Sequence, residues 1–82
     1  MGSRVGVQIA GTTRPGDLAA HVADAERLGY GELWLAEDFF DLGGIASVAT
    51  ALAATSSVPV GLGIASIRVR HPALMAMELA TL

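Results

Sequence analysis

The apolar positions change period along the chain, and each change marks an element. Across residues 4–10 (R-V-G-V-Q-I-A), Val5, Val7 and Ile9 alternate with small or polar neighbours. Alternation with β-branched residues predicts a strand. Gly11-Thr12-Thr13-Arg14-Pro15-Gly16 is a turn cluster, after which Asp17 is placed to cap a helix. Leu18, Val22, Ala25 and Leu28 then recur at spacings of four, three and three, one stripe of an amphipathic helix. His21, Asp24 and Arg27 fall on the other side, where His21 meets solvent and Asp24 can pair with Arg27. Gly29 stops the helix.

Residues 31–36 (G-E-L-W-L-A) form a short apolar run that predicts a second, buried strand with Trp34 in the core. Asp41-Leu42-Gly43-Gly44 turns the chain, and Ile45, Val48, Ala49, Leu52 and Ala53 give a second helical stripe ending near residues 55–57. Residues 58–65 (V-P-V-G-L-G-I-A) predict a third strand, with Pro59 near its start, where no ladder donor is needed. Pro72 opens a third helix at its first position with His71 as its structural cap. That helix carries Leu74, Met75, Glu78, Leu79 and Leu82, with Met75 and Met77 as core or interface fillers. The order β-α-β-α-β-α with nearly all-apolar strands and short loops predicts an α/β fold with a parallel sheet. Periodicity alone does not separate a doubly wound sheet from part of a barrel, although the lack of G-x-G-x-x-G after strand one weakens a dinucleotide fold.

Composition narrows the function classes. The chain has 82 residues, 52% hydrophobic and 16% charged, too apolar for disorder. No apolar stretch reaches the ~18 residues of a membrane span, and no basic and apolar leader opens the chain; a soluble, cytoplasmic protein is expected. Five arginines against eight carboxylates give a net charge of −3, the wrong balance for a nucleic-acid or membrane binder. With no cysteine and only His21 and His71, no disulfide framework or thiolate site exists and no metal site is expected. Met1-Gly2-Ser3 carries no functional weight.

In either α/β architecture ligands bind at the carboxyl ends of the strands, here Ala10-Gly11, Glu37-Asp38 and Ile64-Ala65-Ser66. Glu37 and Asp38 are the candidate catalytic groups, because adjacent carboxylates beside Phe39 and Phe40 can have separated pKa values. Equally, one of them can cap helix two or neutralise an arginine. Gly61 and Gly63 inside a strand suit either the close approach of a flat ligand or tight packing at a bulge. Arg68 and Arg70 can meet an acidic ligand, or else face solvent or bridge to a carboxylate.

Three segments together are familiar: A-E-R-L-G-Y-G-E-L-W-L-A-E-D-F-F (residues 25–40), A-L-A-A-T-S-S-V-P-V-G-L-G-I (51–64) and R-H-P-A-L-M-A-M-E-L-A-T-L (70–82). In this order and spacing the chain resembles the luciferase-like monooxygenase superfamily, nearest to its branch using the deazaflavin coenzyme F-420, which includes methylenetetrahydromethanopterin reductase. The resemblance implies a TIM (β/α)8 barrel, which typically needs about 250 residues. Residues 1–82 are then a single partial domain, the first three β/α units, inactive alone and prone to self-associate through uncovered edges. It implies a flavin- or coenzyme F-420-dependent oxidoreductase that transfers hydride to, or monooxygenates, a small organic substrate, with F-420 or FMN as cofactor. It also implies a strand-three bulge with a non-prolyl cis peptide at Gly63-Ile64, so that Gly63, Ile64, Ala65 and Ser66 bind the cofactor ring. Where many relatives carry an aspartate-histidine pair, this chain has Glu37-Asp38, which places Asp38 at the histidine position. Two other readings of the residues stand beside this: an unrelated barrel lyase or isomerase using Glu37 and Asp38 directly, and a non-catalytic, self-associating α/β half-barrel module.

Overall fold

Three strands and three helices alternate along the chain in the expected order: β1 (Gly6–Gln8), α1 (Pro15–Arg27), β2 (Glu32–Ala36), α2 (Gly44–Ala54), β3 (Val60–Ile64) and α3 (Pro72–Thr81). This is a computed structural model that describes residues 4–82; Met1-Gly2-Ser3 lies outside them. The strands form one parallel sheet in the order β1-β2-β3. Each is shorter than its apolar run, because ladder pairing stops before the alternation does.

Helix ends follow local chemistry, with one correction. α1 begins at Pro15, not after Asp17: proline supplies the helical φ and has no N–H to satisfy, so the helix opens earlier with Arg14 as N-cap residue. Asp17 sits in the first turn and accepts from Arg14 Nε at 2.9 Å. At the other end, Gly29 N–H donates to the Glu26 carbonyl at 3.0 Å and Tyr30 N–H to the Ala25 carbonyl at 3.3 Å. Gly29 has φ +93°, so this is a Schellman stop that only a residue tolerant of the left-handed region makes cheaply. The turn carries Leu28 out of the predicted stripe, leaving it 68% exposed. α3 starts as expected, with His71 Nδ1 accepting from Ala73 N–H at 3.0 Å and Pro72 following.

The core lies between the sheet and α1 and α2. Leu18, Val22 and Ala25 of α1 meet Leu33 and Leu35 of β2 and Val48 and Ala51 of α2, with Leu42 closing the upper end. α2 is turned relative to its predicted stripe. Its buried residues are Gly44, Ser47, Val48 and Ala51, while Ala49, Leu52 and Ala53 are exposed. Small residues face inward because the helix packs close: a Cβ on Gly44 would stand 3.0 Å from Leu62 Cδ1 and 3.1 Å from Glu37 Cβ. α3 buries none of its residues, so Met77 is exposed and no core filler.

The strands are not buried on both faces. Leu33 and Leu35 point into the helix-covered core, and Val7, Ile9, Val60 and Leu62 pack beside them. Glu32 and Trp34 point the other way, so Trp34 is 42% exposed and is not the core residue its apolar surroundings predict. Strand parity decides this: Trp34 lies one residue from two fully inward leucines.

Candidate functional site

Hydrogen bonding continues past the strand ends and gathers the predicted site. Ile9 N–H donates to the Trp34 carbonyl at 2.9 Å and Glu37 N–H to the Ile64 carbonyl at 2.8 Å. Between β2 and β3 the register slips by one: Leu35 pairs with Leu62, but Ala36 pairs with Ile64. Gly63 is the extra residue, and a bulge of this kind bends a strand and re-aims the residue after it. Ile64 therefore shares the open face with Ala36 and is 63% exposed. Among the described residues every peptide bond is trans, so the expected bulge is present at Gly63 without the cis bond; trans is the ordinary lower-energy form.

The two strand-three glycines serve different purposes. A Cβ on Gly61 would lie 2.6 Å from Trp34 Cζ3 and 2.7 Å from Cε3, because the indole lies directly over that backbone. At Gly63 a Cβ would meet nothing nearer than the Leu35 carbonyl at 3.5 Å and Trp34 Cε3 at 3.6 Å. Gly61 is thus filled from within the chain, whereas Gly63 is exposed and leaves room on the open face.

Glu37 and Asp38 are adjacent but placed in opposite circumstances. Glu37 follows the parity of Leu33 and Leu35 and turns toward the helix side, with its side chain 7% exposed. Its Oε2 receives Arg70 Nη2 at 2.6 Å and Gly44 N–H at 3.1 Å, and its Oε1 receives Ser66 N–H at 3.1 Å. The Arg70 hydrogen bond, aided by the two amides and opposed by burial, holds the carboxyl down at about 2. Glu37 is therefore a fixed anion at neutral pH. It both caps α2 and neutralises an arginine, the two structural roles open to it in the sequence. Arg70 Nη1, on the same guanidinium, is buried without a hydrogen-bond partner.

Asp38 is exposed, and its side chain makes no hydrogen bond to any described residue. Its backbone is held instead: Asp38 N–H donates to the Leu42 carbonyl at 3.0 Å, and Leu42 N–H to the Gly11 carbonyl at 3.3 Å. A Cβ on Gly11 would come within 2.8 Å of Asp38 Cβ, so this glycine lets the acidic turn lie against the end of β1. The turn stores strain, since Phe40 has φ +68° while its ring is fully exposed. Ala65 and Ser66 are half-buried, and Ser66 Oγ accepts from Arg68 N–H at 3.3 Å. The structure thus brings Asp38, Gly63 and Ile64 to the accessible end of the sheet and commits Glu37 to its partners. A cleft of about 640 Å³ between α2 and α3, bordered by Glu37, Arg70, Ile45, Leu74 and Glu78, opens on the helix side.

Sequence reasoning passed over Glu26, whose carboxylate receives the amides of Ser56, Ser57 and Val58. No local pattern announces a staple across thirty residues, although the unpaired amides of a short helix–strand turn always need an acceptor.

A sequence model described as luciferase-like monooxygenase matches residues 2–82. The structure is similar to the coenzyme F420 dependent tetrahydromethanopterin reductase from Methanopyrus kandleri, with a TM-score of 0.83 and 23% identity. That likeness covers 99% of this chain but only 23% of the other, and it is a likeness of fold: three parallel β/α units of a TIM-barrel-like enzyme. No curated protein sequence matches significantly.

Proposed function

The chain belongs to the luciferase-like monooxygenase family, and on that premise we propose that it forms the first three β/α units of a flavin- or coenzyme F420-dependent oxidoreductase acting on a small organic substrate. The observation that carries this is the bulge at Gly63, an exposed backbone step on the open sheet face where an added Cβ would meet nothing nearer than 3.5 Å. A flat ring can approach there, because the glycine leaves its backbone uncovered and only a side chain beyond Cβ at this position would stand in the way. Gly63 and Ile64 would support the ring, and Ala65 and Ser66 would border it. When bound, the deazaflavin supplies hydride exchange with a substrate carbon, or FMN supplies oxygen activation.

The chain's own contributions divide between two carboxylates. Asp38, exposed and unbonded, is the group available to accept a hydrogen bond from ring or substrate, or to hold a proton, at a carboxylate oxygen. Glu37 keeps its charge and holds Ser66 and the start of α2 in place. The experiment is cofactor titration followed by the ring's absorbance, comparing the parent protein with Gly63→Val. Because a Cβ at Gly63 meets only ordinary contacts, the variant should keep its fold and lose binding; unchanged affinity would remove the strand-three argument. A drop in turnover larger than the drop in affinity for Asp38→Asn would assign that carboxylate to the transition state.

A second reading has its own observation. With α3 burying nothing, Ile67 at 88% and Met77 at 62% exposure, and β1 and β3 both edge strands, the chain suits a self-associating half-barrel module. A stable symmetric oligomer that binds neither cofactor would favour it. Self-association and a cytoplasmic location are part of both readings.

A further inference from the structure

Going down the open face from the strand carboxyl ends, the first row on β2 presents only a methyl group, and so does the chain just past the end of β1. Ala36 is one, and Ala10 is the other, since its predecessor Ile9 packs on the core. On β3 the bulge brings Ile64 to this row. The row beneath contains Gln8, Trp34 and Gly61, which are direct cross-strand partners. In that row the indole reaches over β3, filling the position beside Gly61 where any Cβ would stand 2.6 Å from its ring. Its edge also reaches toward the bulge, with Cε3 3.6 Å from where a Gly63 Cβ would be. A large aromatic side chain, 42% exposed, is thus held against the Gly61 backbone directly below a row that holds Ala36 and the exposed Ile64.

We propose that Trp34 is a ligand-contacting residue, its indole forming the floor on which a flat conjugated ring system rests beside Gly63. This rests on the oxidoreductase reading and adds to it a binding group that lies outside the predicted site. Gly61 is then a positioning residue: it touches no ligand but leaves room for the indole against its backbone. The competing role for Trp34 is bulk packing inside a closed barrel, where any large apolar side chain would serve.

The experiment compares Trp34→Phe with Trp34→Leu in the protein, titrated with FMN and with coenzyme F420 by equilibrium dialysis, with far-ultraviolet circular dichroism to check the fold. Stacking on an aromatic plane predicts that Trp34→Phe stays within about threefold of the parent dissociation constant while Trp34→Leu weakens it about tenfold. The near-ultraviolet circular dichroism of the bound ring should change with the Leu variant and persist with Phe. Equal affinity for the Phe and Leu variants would overturn the proposal, leaving Trp34 as packing and the oxidoreductase reading intact. Binding of neither ring by the parent protein would overturn that reading, and the role of Trp34 with it. Gly61→Ala supplies an independent check, because its methyl group displaces the indole while the tryptophan itself is kept: weaker ring binding by a folded variant supports the proposal, and parent-like binding opposes it.

Discussion

Two glutamates staple opposite ends of the same strand, and the contrast between them separates scaffold from site. Glu26, in the last turn of α1, holds the chain entering β3 through the amides of Ser56, Ser57 and Val58 at 2.9–3.0 Å. Glu37 holds the chain leaving β3 through Ser66, and adds the first turn of α2 and the guanidinium of Arg70. Glu26 sits at the amino ends of the strands, which in barrels serve stability, and Glu37 at the carboxyl ends, where ligands bind. Neutral backbone donors suffice at the solvated lower end. At the upper end a buried carboxylate needs a full counter-charge, because desolvating an anion is costly unless it is paired. Glu26 even sits against the helix dipole, at the end where anions are disfavoured; three converging amides outweigh that penalty.

The largest effect should come from removing only half of the upper staple. Arg70→Met leaves Glu37 buried beside two amides without its cation, and should cost about 3 kcal/mol in chemical denaturation. The double variant Arg70→Met, Glu37→Gln should recover much of that loss, since it removes the uncompensated charge as well. If single and double variants lose equally, the pair does not act as a unit.

Acid should separate the two staples next. Glu37 titrates at about 2 in the folded chain against an ordinary 4.5. A lowered folded pKa means that its stabilisation is fully present above the ordinary value and is lost as pH falls toward the folded one. Between those values the protein should therefore lose on the order of 2 kcal/mol, below the full linkage value because solvent at the cleft screens the pair. Glu26 is also shifted downward, by the amides of Ser57, Ser56 and Val58, so its contribution has the same sign. Being solvated, it should matter less: the acid-unfolding curve of Glu26→Gln should stay close to the parent's, whereas that of Glu37→Gln should lose its low-pH component. Matching curves for both variants would erase the distinction between the ends.

The smallest effect runs in the opposite direction. Phe40→Gly relieves a left-handed conformation at φ +68° and sacrifices no packing, because the ring is fully exposed. It should stabilise the fold by about 1 kcal/mol in thermal or chemical unfolding. A loss instead would mean that the Phe40 ring contributes to the fold after all. A gain would mark the acidic turn as strain kept for reasons other than stability.

Much of this was legible in the sequence wherever a few neighbouring residues settle the matter. The element order, the Schellman stop at Gly29, the His71-Pro72 helix start and the Asp24–Arg27 pair at 2.8 Å all depend on local backbone chemistry and short spacings. Family resemblance located the bulge at Gly63, though not its trans geometry. Only the tertiary structure decided which face each element turns inward. It rotated α2 onto Gly44, Ser47 and Ala51, because close packing selects for small residues rather than the most apolar stripe. It turned Trp34 out of the core, because strand parity is set once Leu33 and Leu35 are buried. It also gave Glu37 to Arg70, thirty-three residues away, and left Asp38 free. Adjacent carboxylates read alike in a sequence; the strand they end points one at the helices and leaves the other at the open end of the sheet.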